Sequence, residues 1–135
     1  MTDEELLQRA LQVRDNAYAP YSRYAVGCAI LAGGKVYTGA NVENVSYGAV
    51  ICAERSAVAA MVSDGVQEIE RVALITQSSP PVAPCGLCRQ TMQEFASDPE
   101  SLRILIGNTQ GERIDMTLAE LLPKGFRKRD LEDAT

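Results

Sequence analysis

Apolar and polar positions switch between two periods along this chain, and the switches mark its elements. The N-terminal stretch opens with Thr2 and Glu5 in capping-box spacing, and Leu6, Leu7, Ala10, Leu11 and Ala17 recur at helical spacing, which predicts a helix. AVGCAIL (25–31) and KVYTGANVE (35–43) predict strands joined as a hairpin around Gly33-Gly34. Residues 53–64 predict a helix stopped by Gly65, and RVALIT (71–76) predicts a buried strand. A Ser/Pro-rich loop follows over 77–84, then a helix from about Gly86 to Ala96. LRILIG (102–107) and ERIDM (112–116) predict two further strands, separated by a turn at Gln110-Gly111. TLAELL carries a second capping box, Thr117 with Glu120, and Pro123 ends that helix.

The predicted order is α-β-β-α-β-α-β-β-α. Strands linked through helical crossovers imply an α/β fold, a mixed sheet covered by helices. No repeat, low-complexity segment or linker interrupts the pattern. The expectation is therefore a single domain over residues 1–135, with an N-terminal helix and loop over 1–22 and a C-terminal tail over 123–135.

Composition narrows the function classes. A chain of 135 residues is large enough for one core, and with no Trp and two Phe that core must be mostly aliphatic. The formal charge of -5 and pI near 4.7 argue against broad nucleic-acid binding, because an acidic surface gains nothing from counterion release. The basic residues Lys124, Arg127, Lys128 and Arg129 sit among Asp130, Glu132 and Asp133 and read as a solvated tail. The polar, acidic start MTDEELLQRA lacks the features of a secretory signal, and no apolar run approaches the roughly 18 residues of a membrane span. The expected setting is the cytoplasm, with no membrane partner. Thiols stay reduced there, so the four cysteines are expected as ligands or buried thiols, not as disulfides.

Two stretches concentrate the candidate chemistry: VICAERSAV (50–58) and APCGLCRQ (83–90). Cys85 and Cys88 have the spacing of a metal knuckle, Cys52 supplies a third sulfur, and the chain contains no His. A lone C-x-x-C is shared with redox pairs, but a redox pair needs no distant Cys-x-Glu. A catalytic zinc usually keeps three protein ligands and one open position. Both cysteine clusters fall where a loop enters a helix, and two converging helix N-termini would favour anionic ligands. Three thiolates around a divalent zinc still leave excess negative charge, which Arg55 and Arg89 are placed to offset, Arg55 as a donor to thiolate sulfur. Cys28 shares a strand face with Val26 and Ile30, so it is either a buried thiol or a fourth ligand that would close the site. Glu54 is either a first-turn acid favoured by the helix dipole or a carrier of protons beside the metal. Its place two residues from a ligand favours the second, with a pKa raised by burial near negative sulfur.

These blocks carry a resemblance. C-A-E followed by P-C-x-x-C resembles the zinc-dependent nucleoside and nucleobase deaminases. YAPYSRYAVGCAIL, GANVEN, ICAERSAV, PCGLCRQ and ELLP together resemble the homotetrameric, three-cysteine cytidine deaminases, from about residue 3 to 131. The resemblance implies a three-layer α/β/α domain with a mixed five-stranded sheet. It implies one Zn2+ per subunit on Cys52, Cys85 and Cys88, with Glu54 as proton shuttle, Arg55 behind the ligands, and a zinc-bound hydroxide attacking C4 of the cytosine ring. Cytidine and deoxycytidine would yield uridine, deoxyuridine and ammonia, a step of pyrimidine salvage. Substrate contacts are implied for Asn41 and Glu43 on the ribose, and for Tyr24, Ala53 and Phe126. Tyr24 stands where the family usually has Phe stacking on the base. Phe126 matches an aromatic that reaches a neighbouring subunit's site, and Tyr47 a subunit-contact position. Deaminases of modified cytosine nucleosides such as blasticidin S share the zinc core but lack the Glu of N-x-E and the Arg after C-A-E; both are present here as Glu43 and Arg55. A non-catalytic zinc module would instead show four ligands and no free carboxylate at the metal.

Overall fold

The computed structural model describes residues 1–133. Its elements run α1 (Asp3–Arg14), β1 (Gly27–Ala32), β2 (Lys35–Ala40), a short 3-10 turn (Tyr47–Ala49), α2 (Ala53–Ser63), β3 (Arg71–Thr76), α3 (Gly86–Glu94), β4 (Arg103–Asn108), β5 (Arg113–Thr117), α4 (Leu118–Leu121) and α5 (Lys128–Asp133). The strands form one sheet in the order β2-β1-β3-β4-β5. β1 pairs antiparallel with β2 and with β3, β3 and β4 are parallel, and β5 is antiparallel to β4. The sheet is thus mixed and five-stranded, as expected.

Local chemistry accounts for the joints. Gly33 and Gly34 have φ of 57° and 74°, the left-handed pair that a two-residue hairpin between Ala32 and Lys35 requires. Thr2 and Thr117 both close full capping boxes, with Glu5 and Glu120. Alternation along the strands then sorts side chains into two cores. Cys28, Ile30, Val72, Leu74, Ile104 and Ile106 face α2, α3 and α4, while Ala29, Ala73, Ile75 and Leu105 face Leu6 and Ala10 of α1. The result is a three-layer α/β/α arrangement, with α1 the one helix on its side among the described residues. Burying Leu6 there contributes about 2 kcal/mol.

Two departures from the pattern matter for the site. Strand β2 ends at Ala40, short of the predicted 43, because Val42 leaves the sheet and bridges Tyr18 on one side and Ile51 on the other. That small ribbon carries residues 41–43 toward Cys52. The tail is also more ordered than a solvated stretch requires: Asp130 accepts from the Arg127 N–H at 2.9 Å, and α5 follows, exposed along its described length. Residues 134–135 of the predicted tail lie outside the described residues.

Topology sets the site's position. Since β1 lies antiparallel between β2 and β3, those two strands point the same way, and both crossover helices leave from their C-terminal ends. The N-termini of α2 and α3 therefore open on the same edge of the sheet. The packing of α2 is close. A Cβ on Gly39 would lie 2.5 Å from the backbone nitrogen of Ala57 and 2.6 Å from the carbonyl of Ala53, so only glycine lets this helix sit where it does.

On the opposite face Asp3 anchors α1. It accepts from Arg71 at 2.8 Å, Arg103 at 2.6 Å and Arg113 at 2.8 Å, which ties the first helical turn across three strands. Hydrogen bonding from Arg103, then from Arg113, outweighs burial and lowers the Asp3 carboxyl from 3.8 to about 2. Solvent screening keeps the value of this cluster modest, so Asp3→Asn should lower the melting temperature at neutral pH by about 3 °C. Because the folded-state pKa is depressed, the contribution is complete above 3.8 and lost as pH falls through about 2. The gap between wild type and variant in thermal melts should therefore close over that window; a gap that stays constant would exclude the charge mechanism.

Candidate active site

Cys52 and Cys85 occupy the N-cap positions of α2 and α3, and neither makes a side-chain capping bond. Cys88 lies one turn into α3 and is buried. The Sγ atoms of Cys52 and Cys85 are 3.9 Å apart, those of Cys85 and Cys88 3.2 Å, and all three lie within 4.8 Å of one another. A tetrahedral zinc with Zn–S bonds of about 2.3 Å spaces its sulfurs about 3.8 Å apart, so the cluster fits a single zinc ion. Among the described residues no fourth donor joins the group. Cys28 is fully buried in the sheet below, where burial, and then the charge of Glu54, pushes its thiol up.

The sulfurs compete for one negative charge. Hydrogen bonding with Cys88, then with Cys85, and the charge of Arg55 lower the Cys52 thiol to about 6 against the opposing effect of burial. Cys88 moves the other way, held up by its hydrogen bond with Cys52 and by burial. A divalent cation removes this competition and lets all three ionise.

Glu54 sits in the first turn of α2 and is 5% exposed. Burial is the main cause of its raised pKa, opposed by its own backbone N–H and reinforced by the charge on Cys52. It is outside the three-donor group but lines the same cleft, of about 290 Å3. That cleft brings together most of the expected site: Tyr24, Asn41, Cys52, Ala53, Glu54 and Cys85. The Asn41 amide is built into its wall, with Oδ1 accepting from Val26 N–H at 2.8 Å and Nδ2 donating to the Tyr24 carbonyl at 2.8 Å. One N–H and one lone pair of the amide take no part in these two bonds.

Other expected residues are placed differently. Glu43 lies beside the cleft, in a smaller hollow with Tyr21, Ser22 and Tyr47. Its carboxylate accepts from the Tyr21 and Ser22 N–H groups, both at 3.0 Å, and from the Ser22 hydroxyl. Phe126 is 62% exposed and does not line the cleft of its own chain; Tyr47 is 86% exposed. The guanidinium of Arg55 donates to the Val50 carbonyl at 2.8 Å, while its Nε is buried with no hydrogen-bond partner among the described residues. Arg89 is turned to other work, bonding the carbonyls of Pro84 and Leu121 at 2.7 Å each. The segment before Cys52 takes shape through the 3-10 turn and the Val42–Ile51 pairing.

Several lining residues were not anticipated: Thr76 at the end of β3, and Val82, Ala83 and Pro84 of the following loop. Nothing in their residue types marks them. The one available signal is adjacency, since the Ser/Pro-rich run leads directly into Cys85.

Three clustered cysteine sulfurs, beside a buried carboxyl that lines an adjoining cleft, form a site suited to a zinc ion on an α/β scaffold. Comparison with known proteins gives the family. The model of the cytidine and deoxycytidylate deaminase zinc-binding region matches residues 1–100. A cytidine deaminase of Halalkalibacterium halodurans is 42% identical over 134 residues, covering 98% of this chain and 100% of that protein. One from Mycobacterium tuberculosis is 41% identical over 123 residues, covering 90% and 87%. The crystal structure of a cytidine deaminase from Burkholderia pseudomallei superposes with a TM-score of 0.88 at 40% identity, covering 93% of this chain and 100% of that one. The chain belongs to the cytidine and deoxycytidylate deaminase zinc-binding family.

Metal analysis after dialysis checks the donor set. Cys28→Ala should keep one zinc per chain, whereas Cys52→Ala and Cys88→Ala should lose it, and Arg55→Ala should yield its zinc to a chelator about tenfold faster. Loss of zinc from the Cys28→Ala protein would put a fourth sulfur in the coordination sphere.

Proposed function

We propose that this chain is a zinc-dependent hydrolase that converts cytidine and deoxycytidine to uridine and deoxyuridine, and that residues 1–135 work as one catalytic domain. The observation that carries this reading is that Glu54 lines the same cleft as Cys52 and Cys85 of the three-sulfur cluster, together with Asn41 and Tyr24.

Cys52, Cys85 and Cys88 hold the zinc, which when bound supplies Lewis-acid activation of water. The remaining work belongs to side chains. The net change forms a C4–O bond and breaks the C4–N bond of the exocyclic amine. Glu54 carries the protons: it takes one from the attacking water and delivers it to ring N3 as the oxygen adds, then takes the second from the new C4 hydroxyl and delivers it to the amino group, which departs as ammonia. Burial suits it to this, because a carboxyl with a raised pKa keeps a proton available nearer neutrality than an exposed one. Ala53, buried beside it at the start of α2, lets the base approach the metal edge without a bulky side chain in the way. Asn41 offers its free N–H and lone pair to the ribose.

Glu43 has a double part in this reading. Its carboxylate orders the Tyr21–Ser22 turn beside the cleft, and the ribose hydroxyl shares its remaining acceptor capacity. Arg55 offsets the excess negative charge of the sulfurs, as its effect on Cys52 supports.

The active assembly is a homotetramer in which Phe126 completes a neighbouring subunit's site. Its exposure, and its absence from the cleft of its own chain, support that role. Light scattering on the purified protein should give four times the 14.6 kDa chain mass; a monomer that is fully active would remove Phe126 from the mechanism.

The reaction is followed by the ultraviolet change when cytidine is added to zinc-replete protein. Glu54→Gln should keep its zinc and its fold while turnover falls by about 10²–10⁴-fold. Normal deamination by that variant would refute the assignment of Glu54.

A further inference from the structure

The loop over 77–84 forms one wall of the cleft, and its first residues are held by hydrogen bonds that the reaction itself does not call for. Tyr24 lines the same cleft, and its carbonyl is bonded by Asn41. Its phenol hydroxyl is hydrogen-bonded to the Ser78 hydroxyl, both groups being half-buried. Its backbone is fixed as well: the N–H donates to Ser22 Oγ at 3.0 Å and the carbonyl accepts from Asn41 Nδ2 at 2.8 Å. The ring is thus tied at both ends.

Ser78 is in turn not free to move. Its N–H donates to Thr76 Oγ1 at 3.3 Å, and its carbonyl accepts from Asn108 Nδ2 at 2.9 Å. Asn108 ends β4 and is 4% exposed. Its Oδ1 accepts from the N–H groups of Gln110 at 3.0 Å and Glu112 at 2.9 Å, and its Nδ2 also donates to Glu112 Oε1 at 3.0 Å. The Ser79 hydroxyl bonds the same Glu112 carboxylate. The β4–β5 turn therefore grips the start of the loop through Asn108 and Glu112.

We propose that Ser78 is a positioning residue for Tyr24, setting the plane of its ring against the bound base, with Asn108 and Glu112 holding Ser78 in place. The inference rests on the reading of this cleft as the nucleoside site. A phenol needs a partner in a half-buried wall, and Ser78 supplies it from within the protein, so the ring stands ready before substrate arrives. The expected effect is on binding, because neither hydroxyl meets the proton transfers at Glu54.

The test is a double-mutant cycle on the zinc-replete enzyme with Ser78→Ala, Tyr24→Phe and both together. Each single variant should raise KM for cytidine about 3–10-fold, with kcat for Ser78→Ala within about twofold of wild type. The double variant should be no worse than the poorer single one, since no unpaired hydroxyl is then left in the wall. Ser78→Thr, which keeps the hydroxyl, should restore KM. A role confined to stability would lower the melting temperature and leave KM untouched. Wild-type KM in Ser78→Ala, or effects of the two substitutions that simply multiply, would overturn the proposal. Near-ultraviolet circular dichroism of the ligand-free proteins separates it from the functional reading. If the wild type fails to deaminate cytidine, that reading falls. The tie itself then stands or falls on whether Ser78→Ala changes the tyrosine band that Tyr24→Phe removes.

Discussion

Three sulfurs held within 4.8 Å of each other are the constraint around which this molecule is arranged. Thiolates that close repel, and without a cation only part of the set can ionise, as the opposed shifts of Cys52 and Cys88 express. The fold answers with the ends of two helices. At Thr2 and Thr117 the N-cap side chain turns back to bond its own helix, whereas Cys52 and Cys85 forgo that bond and point outward. The two helix N-termini at the centre thus keep their positive ends for the sulfurs. A capping bond costs typically about 1 kcal/mol to omit, a modest sum beside the binding of a structural or catalytic metal.

Keeping both helix ends in register is the task of the surrounding packing. Gly39 lets α2 press directly onto β2, and Arg89 clamps the loop before α3 to the end of α4 through two carbonyls. Far from the chemistry, Asp3 and its arginines hold α1 against the other face of the sheet. Leu6 and Ala10 of α1 press on the reverse side of the strands that carry the site. Charge serves different ends at the two places. At Asp3 opposite charges meet near solvent and act as a staple; at Cys52 and Glu54 acidic groups are crowded beside the cleft, which is costly in itself.

The cleft walls are held by side chains that bond the backbone. Asn41 uses half of its amide on Val26 and Tyr24 and keeps the rest. Glu43 spends much of its carboxylate on the Tyr21–Ser22 turn, so a residue expected as a ribose contact organises the loop that carries Tyr24. The 77–84 loop is gripped at its root, while Val82 farther along it is exposed.

What the amino-acid sequence determined by itself was whatever depends on near neighbours in the chain. Period-two and helical spacings, the two capping boxes, the Gly33-Gly34 turn and the C-x-x-C knuckle all act within a few residues, and the elements appear where those signals lie. The donor set and Glu54 were legible for the same reason, as residue types at characteristic spacing. The strand order, the departure of Val42 from the sheet to pair with Ile51, the second duty of Glu43, the redirection of Arg89 and the pairing of Tyr24 with Ser78 were not. Tyr24 and Ser78 stand far apart in the chain, and no local preference of a tyrosine or a serine selects one for the other. Only the closing of β1 between β2 and β3 brings them face to face, because side-chain partners across a sheet are chosen by register and packing, which a linear pattern does not encode.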